Sequence, residues 1–144
     1  MKRLFYCFLI VLSLSSCKRP VSCIIHACFG INPQCLDYSV EKYEDEWFIS
    51  DGYTFIELSI NGNERDSIMS FRKQMIQNGA CNLPIKEKLL TPNELRQYED
   101  KDETEGCYLL LKGESTSSDL IVSSFQILIL DEKREKLFLY NVEI

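Results

Sequence analysis

Three apolar runs fill the last third of the chain: CYLLLKG, DLIVSSFQILIL and KLFLYNVEI. Their length and their share of β-branched and aromatic residues suit strands rather than helices. Only the charged stretch DEKREK separates the last two, a link short enough to make them antiparallel neighbours. The middle run is apolar on both faces, as an interior strand requires. A chain ending this way has to build a sheet, and the upstream residues have to cover it.

Upstream, EWFISDGYTFIELSING reads as a hairpin. Asp51-Gly52 is a strong two-residue turn signal, because a type I′ turn needs positive φ at both positions. Pairing Ser50 with Tyr53 puts Trp47, Ile49, Thr54, Ile56, Leu58 and Ile60 on one face, the expected core side. Asn61-Gly62 ends the second strand. Asn63 caps a helix from about Glu64 to Asn78, with Asp66 in its first turn and Gly79 as its stop. Ile68, Phe71, Met75 and Ile76 form its apolar stripe. Thr91-Pro92-Asn93-Glu94 starts a second, short helix, with threonine as cap, proline in the first turn and glutamate closing a capping box. The expected fold class is α+β: an antiparallel sheet, made of an N-terminal hairpin plus a C-terminal three-stranded meander, with one long and one short helix. At 144 residues and 45% hydrophobic content, one domain with a substantial core is expected.

The amino end carries a different kind of information. Lys2 and Arg3 precede an apolar core over residues 4–14, which is shorter than the roughly 20 residues needed to span hydrocarbon. Leu14, Ser15, Ser16 and Cys17 follow. This arrangement resembles the lipobox of bacterial lipoprotein precursors: an aliphatic residue, two small ones, then cysteine. The resemblance covers about the first twenty residues and identifies no family for the body. It implies that the Cys17 thiol takes a diacylglycerol and that a dedicated peptidase cuts before it. Small residues at 15 and 16 suit a narrow protease groove, and a thiol is the nucleophile that accepts the lipid. Two or three acyl chains hold a protein on a bilayer where one would not. Lys18, rather than aspartate, resembles lipoproteins forwarded to the outer membrane. The expected organisation is a cleaved signal peptide over 1–16, a cysteine-rich arm over 17–43 lying against the body, and a single α+β domain over 44–144. The expected location is membrane-attached, on the outer membrane facing the periplasm.

Cleavage removes two of the 16 basic residues and none of the 22 acidic ones, moving the net charge from −6 to about −8. Nucleic acid, which demands basic patches to neutralise phosphates, is not an expected partner. A cationic protein fits better, and the ordinary use of such an acidic surface is to keep the protein in solution.

Export also frames the cysteines. Cys7 leaves with the signal and Cys17 is modified, so Cys23, Cys28, Cys35, Cys81 and Cys107 remain. Five thiols in an oxidising compartment suggest two disulfides and one thiol left over. Several connectivities are open; the working expectation pairs Cys81 with Cys107 and Cys28 with Cys35. Cys23, His26, Cys28 and Cys35 also form a possible thiolate and imidazole zinc set, yet their spacing fits no zinc motif and exported thiols oxidise readily, so no metal is expected. Asp100, Asp102 and Thr104 begin like a calcium loop. The pattern fails at Glu105, where glycine is needed, and at Leu111, where glutamate is.

Catalytic parts are scarce. The single histidine, His26, sits among the arm cysteines, and no nucleophile elbow, phosphate loop or dinucleotide fingerprint occurs. No catalytic residue and no cofactor is expected. The leading expectation is a non-enzymatic interaction or inhibitor lipoprotein, working through a sheet edge or the acidic loop. The alternatives are an envelope structural or assembly lipoprotein and a small hydrolase using two carboxylates.

Overall fold

The computed structural model describes residues 20–49, 51–62, 65–89, 92–99, 105–113 and 124–143, the side chain of Phe48 excepted. The fold is α+β, a mostly antiparallel six-stranded sheet with a few helices. The strands are β1 (Tyr38–Phe48), β2 (Asp51–Ile60), β3 (Cys81–Asn82), β4 (Gly106–Lys112), β5 (Phe125–Asp131) and β6 (Lys136–Glu143). Their order across the sheet is β1-β2-β6-β5-β4-β3. The first hairpin therefore pairs with the last strand, and the chain between β2 and β3 crosses the sheet to its far edge.

Side-chain alternation sends every interior strand into two cores. Ile56, Leu58, Cys107, Leu109, Leu128, Leu130, Leu137 and Leu139 enter the first. Phe55, Tyr108, Phe125, Ile127, Ile129, Phe138 and Tyr140 enter the second. Register aligns the first set into two rows across the sheet, Ile56-Leu139-Leu128-Leu109 and Leu58-Leu137-Leu130-Cys107. A side chain of this size contributes about 1.5–3 kcal/mol when fully buried, so these rows dominate the packing.

Helices cover the first core. Helix α2 (Arg65–Gln77) presents Ile68, Phe71 and Met75 to it. It stops at Gly79, φ 95°, where Ala80 N–H donates to Met75 O and Gly79 N–H to Ile76 O at 3.0 Å each. That crossed pair is a Schellman closure, and glycine supplies the left-handed residue it needs. Ile76 was expected in the stripe but is exposed, one step round the helix. Asn63 and Glu64, the expected cap and first residue, lie outside the described residues.

The segment before β1, expected as a cysteine-rich arm, carries a helix. Helix α1 (Val21–Phe29) buries Val21, Ile25 and Phe29, spaced one residue per turn, into the first core. A 3-10 turn (Pro33–Cys35) follows, and Ile31 and Leu36 join the same core. Strand β1 begins at Tyr38, so the expected boundary at 43/44 falls inside a strand.

Residues 83–89 and 92–98 cover the second core with Leu83, Ile85, Leu89, Leu95 and Tyr98. The short helix α3 (Asn93–Arg96) lies in this segment, with Leu95 fully buried. Thr91, its expected cap, lies outside the described residues. Tyr98 donates its hydroxyl to Asp131 Oδ2 at 2.8 Å, and Arg134 N–H donates to Asp131 Oδ1 at 2.9 Å. Asp131 is 2% exposed, so these donors offset the cost of burying its carboxylate. The cover is thereby tied to the β5–β6 turn.

The hairpin turn differs from expectation. Phe48 pairs with Asp51 and Trp47 with Gly52, so Asp51-Gly52 opens the second strand rather than forming the turn. Tyr53 pairs with Glu46; Ser50 lies outside the described residues. Gly52 is needed for room rather than for positive φ. A Cβ there would stand 2.4 Å from Glu46 O and 2.7 Å from Trp47 Cα.

Candidate interaction surface

Strand β1 is the long edge of the sheet, 11 residues paired, among the described residues, only on its β2 side. An edge strand presents a row of backbone donors and acceptors to whatever lies beside it. The two rows of the first core continue onto it: Val40 stands opposite Leu58, and Tyr43 opposite Ile56. Leu58 and Ile56 are buried, whereas Val40 is 49% exposed and Tyr43 half-buried. The covering helices protect the rows over β2, β6, β5 and β4 and leave the β1 end open. Burial raises the Tyr43 phenol, with a smaller contribution from nearby Asp45.

Trp47, the chain's only tryptophan, is 42% exposed and held in place. Its indole N–H donates to Asp45 Oδ1 at 2.8 Å and to Thr54 Oγ1 at 3.1 Å, and Thr54 in turn donates to Asp45 Oδ1 at 2.6 Å. The indole packs over Gly52. An aromatic fixed this way loses little freedom on contact with a partner. Beyond it Ile49, φ 60°, is 93% exposed. A β-branched residue in the left-handed region costs about 1–2 kcal/mol and here buries nothing in return. Trp47 and Ile49 were expected on the core face; the register places Trp47 at its open margin, and Ile49 stands just past the end of the strand.

The opposite side of β1 is charged. Glu44 and Glu46 lie there beside Lys42, whose ammonium meets Glu44 Oε1 at 3.0 Å and Glu94 Oε1 at 2.9 Å and lies 5.2 Å from the Phe55 ring centre. The hydrogen bond from Lys42 holds the Glu94 carboxyl below its ordinary value. Glu41 sits at a bulge between Val40 and Lys42. Four of the six residues from Glu41 to Glu46 are acidic.

The cysteines lie elsewhere. All five among the described residues are free thiols. Cys107 is buried with its Sγ 3.7 Å from Met75 Sδ, and burial pushes its thiol up to about 11. Cys81 stands opposite Tyr108 and is exposed. Successive strand residues face opposite sides, so the expected Cys81–Cys107 bridge is not formed and its sulfurs project from opposite faces of the sheet. Cys28 and Cys35 are half-buried against the first core and unbridged, Cys35 receiving Gln74 Nε2 at 3.7 Å. Cys23 and His26 are exposed on α1. Among the described residues no group of three or more His, Cys, Asp or Glu side chains converges as a metal site. Cys17, and Asp100, Asp102 and Thr104 of the acidic loop, lie outside the described residues.

Sequence reasoning placed Glu41, Tyr43 and Glu44 in or beside an arm and so missed the edge. The signal was available in YSVEKYEDEWF, where apolar residues recur at near-alternate positions, interrupted by the bulge at Glu41. Among the described residues, no helix is long and apolar enough to cross a membrane. No family model, no curated protein and no solved structure matches this chain.

Proposed function

We propose that the protein is a bacterial lipoprotein, tethered through acylated Cys17 and facing the periplasm from the outer membrane, whose body contacts or inhibits a cationic protein without catalysing a reaction. In this reading the body is an N-terminal hairpin joined to a C-terminal meander under one long and one short helix, with α1 added at its amino end. The tether follows from the Leu14-Ser15-Ser16-Cys17 pattern. Pro20, which precedes α1, stands three positions after Cys17, so at most about 10 Å of chain separates the lipidated residue from the body. That keeps α1 beside the headgroups.

The observation that carries the contact role is the exposed end of the first-core rows. Val40, on the acidic strand β1, is half exposed while Leu58, Leu137 and Leu130 of the same row are buried, and Trp47 near the end of β1 and Ile49 just past it are exposed as well. Large apolar residues rimmed by charge are what a protein contact surface is made of. Metabolic labelling with a palmitate analogue tests the tether. Label is expected on the wild-type chain and lost in Cys17→Ser, which should also leave the membrane fraction; an unlabelled wild-type chain would remove the anchor from the account.

A further inference from the structure

Directly opposed residues in a sheet share a face, so the two sides of β1 specify what a neighbouring strand has to carry. One side offers Val40, Tyr43 and Trp47, with Asp45 between the last two and already bound to Trp47 and Thr54; the other offers Glu44 and Glu46 beside the single cation Lys42, an acidic excess. A strand complementary to both alternates apolar residues with cations. We propose that β1 receives an extended, alternating apolar and lysine- or arginine-bearing segment of another protein as an added strand, with Trp47 as its fixed aromatic anchor. This inference rests on the contact role proposed above and adds to it the binding mode and the pattern of the partner.

The acidic residues also decide against a second copy of this chain. Two β1 edges laid side by side would set Glu44, Asp45 and Glu46 of one copy near those of the other, and like charges opposite each other are destabilising. The same charges attract a cationic strand. Backbone hydrogen bonds supply affinity in this mode, and alternate side chains supply selectivity.

The single tryptophan makes the test direct, because its emission reports on this edge alone. The full chain in detergent is titrated with a synthetic ten-residue peptide alternating valine and lysine. A saturable blue shift is expected, weakening about tenfold or more when Glu44→Lys and Glu46→Lys are combined, and weakening as salt is raised. A peptide with glutamate in place of lysine should not bind, nor should one with prolines at alternate positions, which lacks the backbone donors a strand needs. Equal binding of the proline peptide would reduce the effect to charge alone and overturn strand addition. So would an absent shift, or a shift that follows protein concentration without peptide, the mark of self-association. A melting curve of the double variant checks that its fold is intact. Lipid plays no part in this measurement, so palmitate labelling and peptide binding can fail independently.

Discussion

The two edges of the sheet are built to opposite ends. At the β3 edge only Cys81 and Asn82 are paired among the described residues, and the chain then turns at once into residues 83–89, which with residues 92–98 seal the second core. Leu83 N–H donates to Gly106 O at 3.1 Å, and Leu83 Cδ1 comes within 3.2 Å of where a Gly106 side chain would start. At the β1 edge the ladder is long, and the rows of the first core reach solvent. The difference teaches that edge exposure is not imposed by this fold. The chain covers the β3 edge at residues 106–108, with Leu111 farther along β4 40% exposed, and leaves β1 open along its length, keeping there a strained Ile49 and a fixed Trp47.

Substitutions at the two edges should therefore behave differently, and the largest effect is expected at the closed one. Gly106 has φ 147°, and a Cβ there would lie 1.9 Å from Leu130 O. Gly106→Ala should destabilise by about 3 kcal/mol or more, read as a fall in urea midpoint, because neither the backbone conformation nor the neighbouring strand can accept the atom. Tyr98→Phe comes next. It removes a donor from buried Asp131 and should cost about 1–3 kcal/mol. Tyr98 itself stays protonated across the ordinary pH range, since burial and the Asp131 carboxylate both raise its phenol, so the wild-type bond should persist at alkaline pH.

At the open edge the sign should reverse. Ile49→Asn relieves a left-handed β-branched residue and should stabilise the fold by about 0.5–1 kcal/mol while weakening partner capture. A destabilised Ile49→Asn would show that the side chain serves folding, and the contrast between the edges would lose its basis. The smallest effect belongs to Glu94, paired with Lys42. Its folded carboxyl value lies below the unfolded one, so its contribution is present above the unfolded value and disappears as pH falls through the folded value. Glu94→Gln should barely change the neutral-pH melt, as expected of an exposed pair, and its difference from wild type should vanish in acid.

Much of the closed region was legible in sequence, and much of the open region was not. FQILIL and KLFLYNV are near-continuous apolar runs of strand length rich in β-branched and aromatic residues, so their strands and the charged turn between them followed from length and composition. Gly79 marked the end of α2 because only one physical demand, a left-handed closing residue, acts on it. Gly52 misled because glycine answers two demands. Beside aspartate it signals a turn, whereas here it leaves space for Trp47. Val40 and Glu41 were obscure for a related reason: a bulge breaks the alternation where an edge strand needs it most. The pairing of β2 with β6 is set by packing between residues distant in sequence, and no local pattern encodes it.

Site-specific photocrosslinking in intact cells addresses the edge most directly, with the probe at Val40 and, as comparison, at exposed Met69 on α2. The account predicts a discrete adduct from position 40 that Glu44→Lys combined with Glu46→Lys abolishes, and none from position 69. Adducts formed from position 69 and never from position 40 would contradict it.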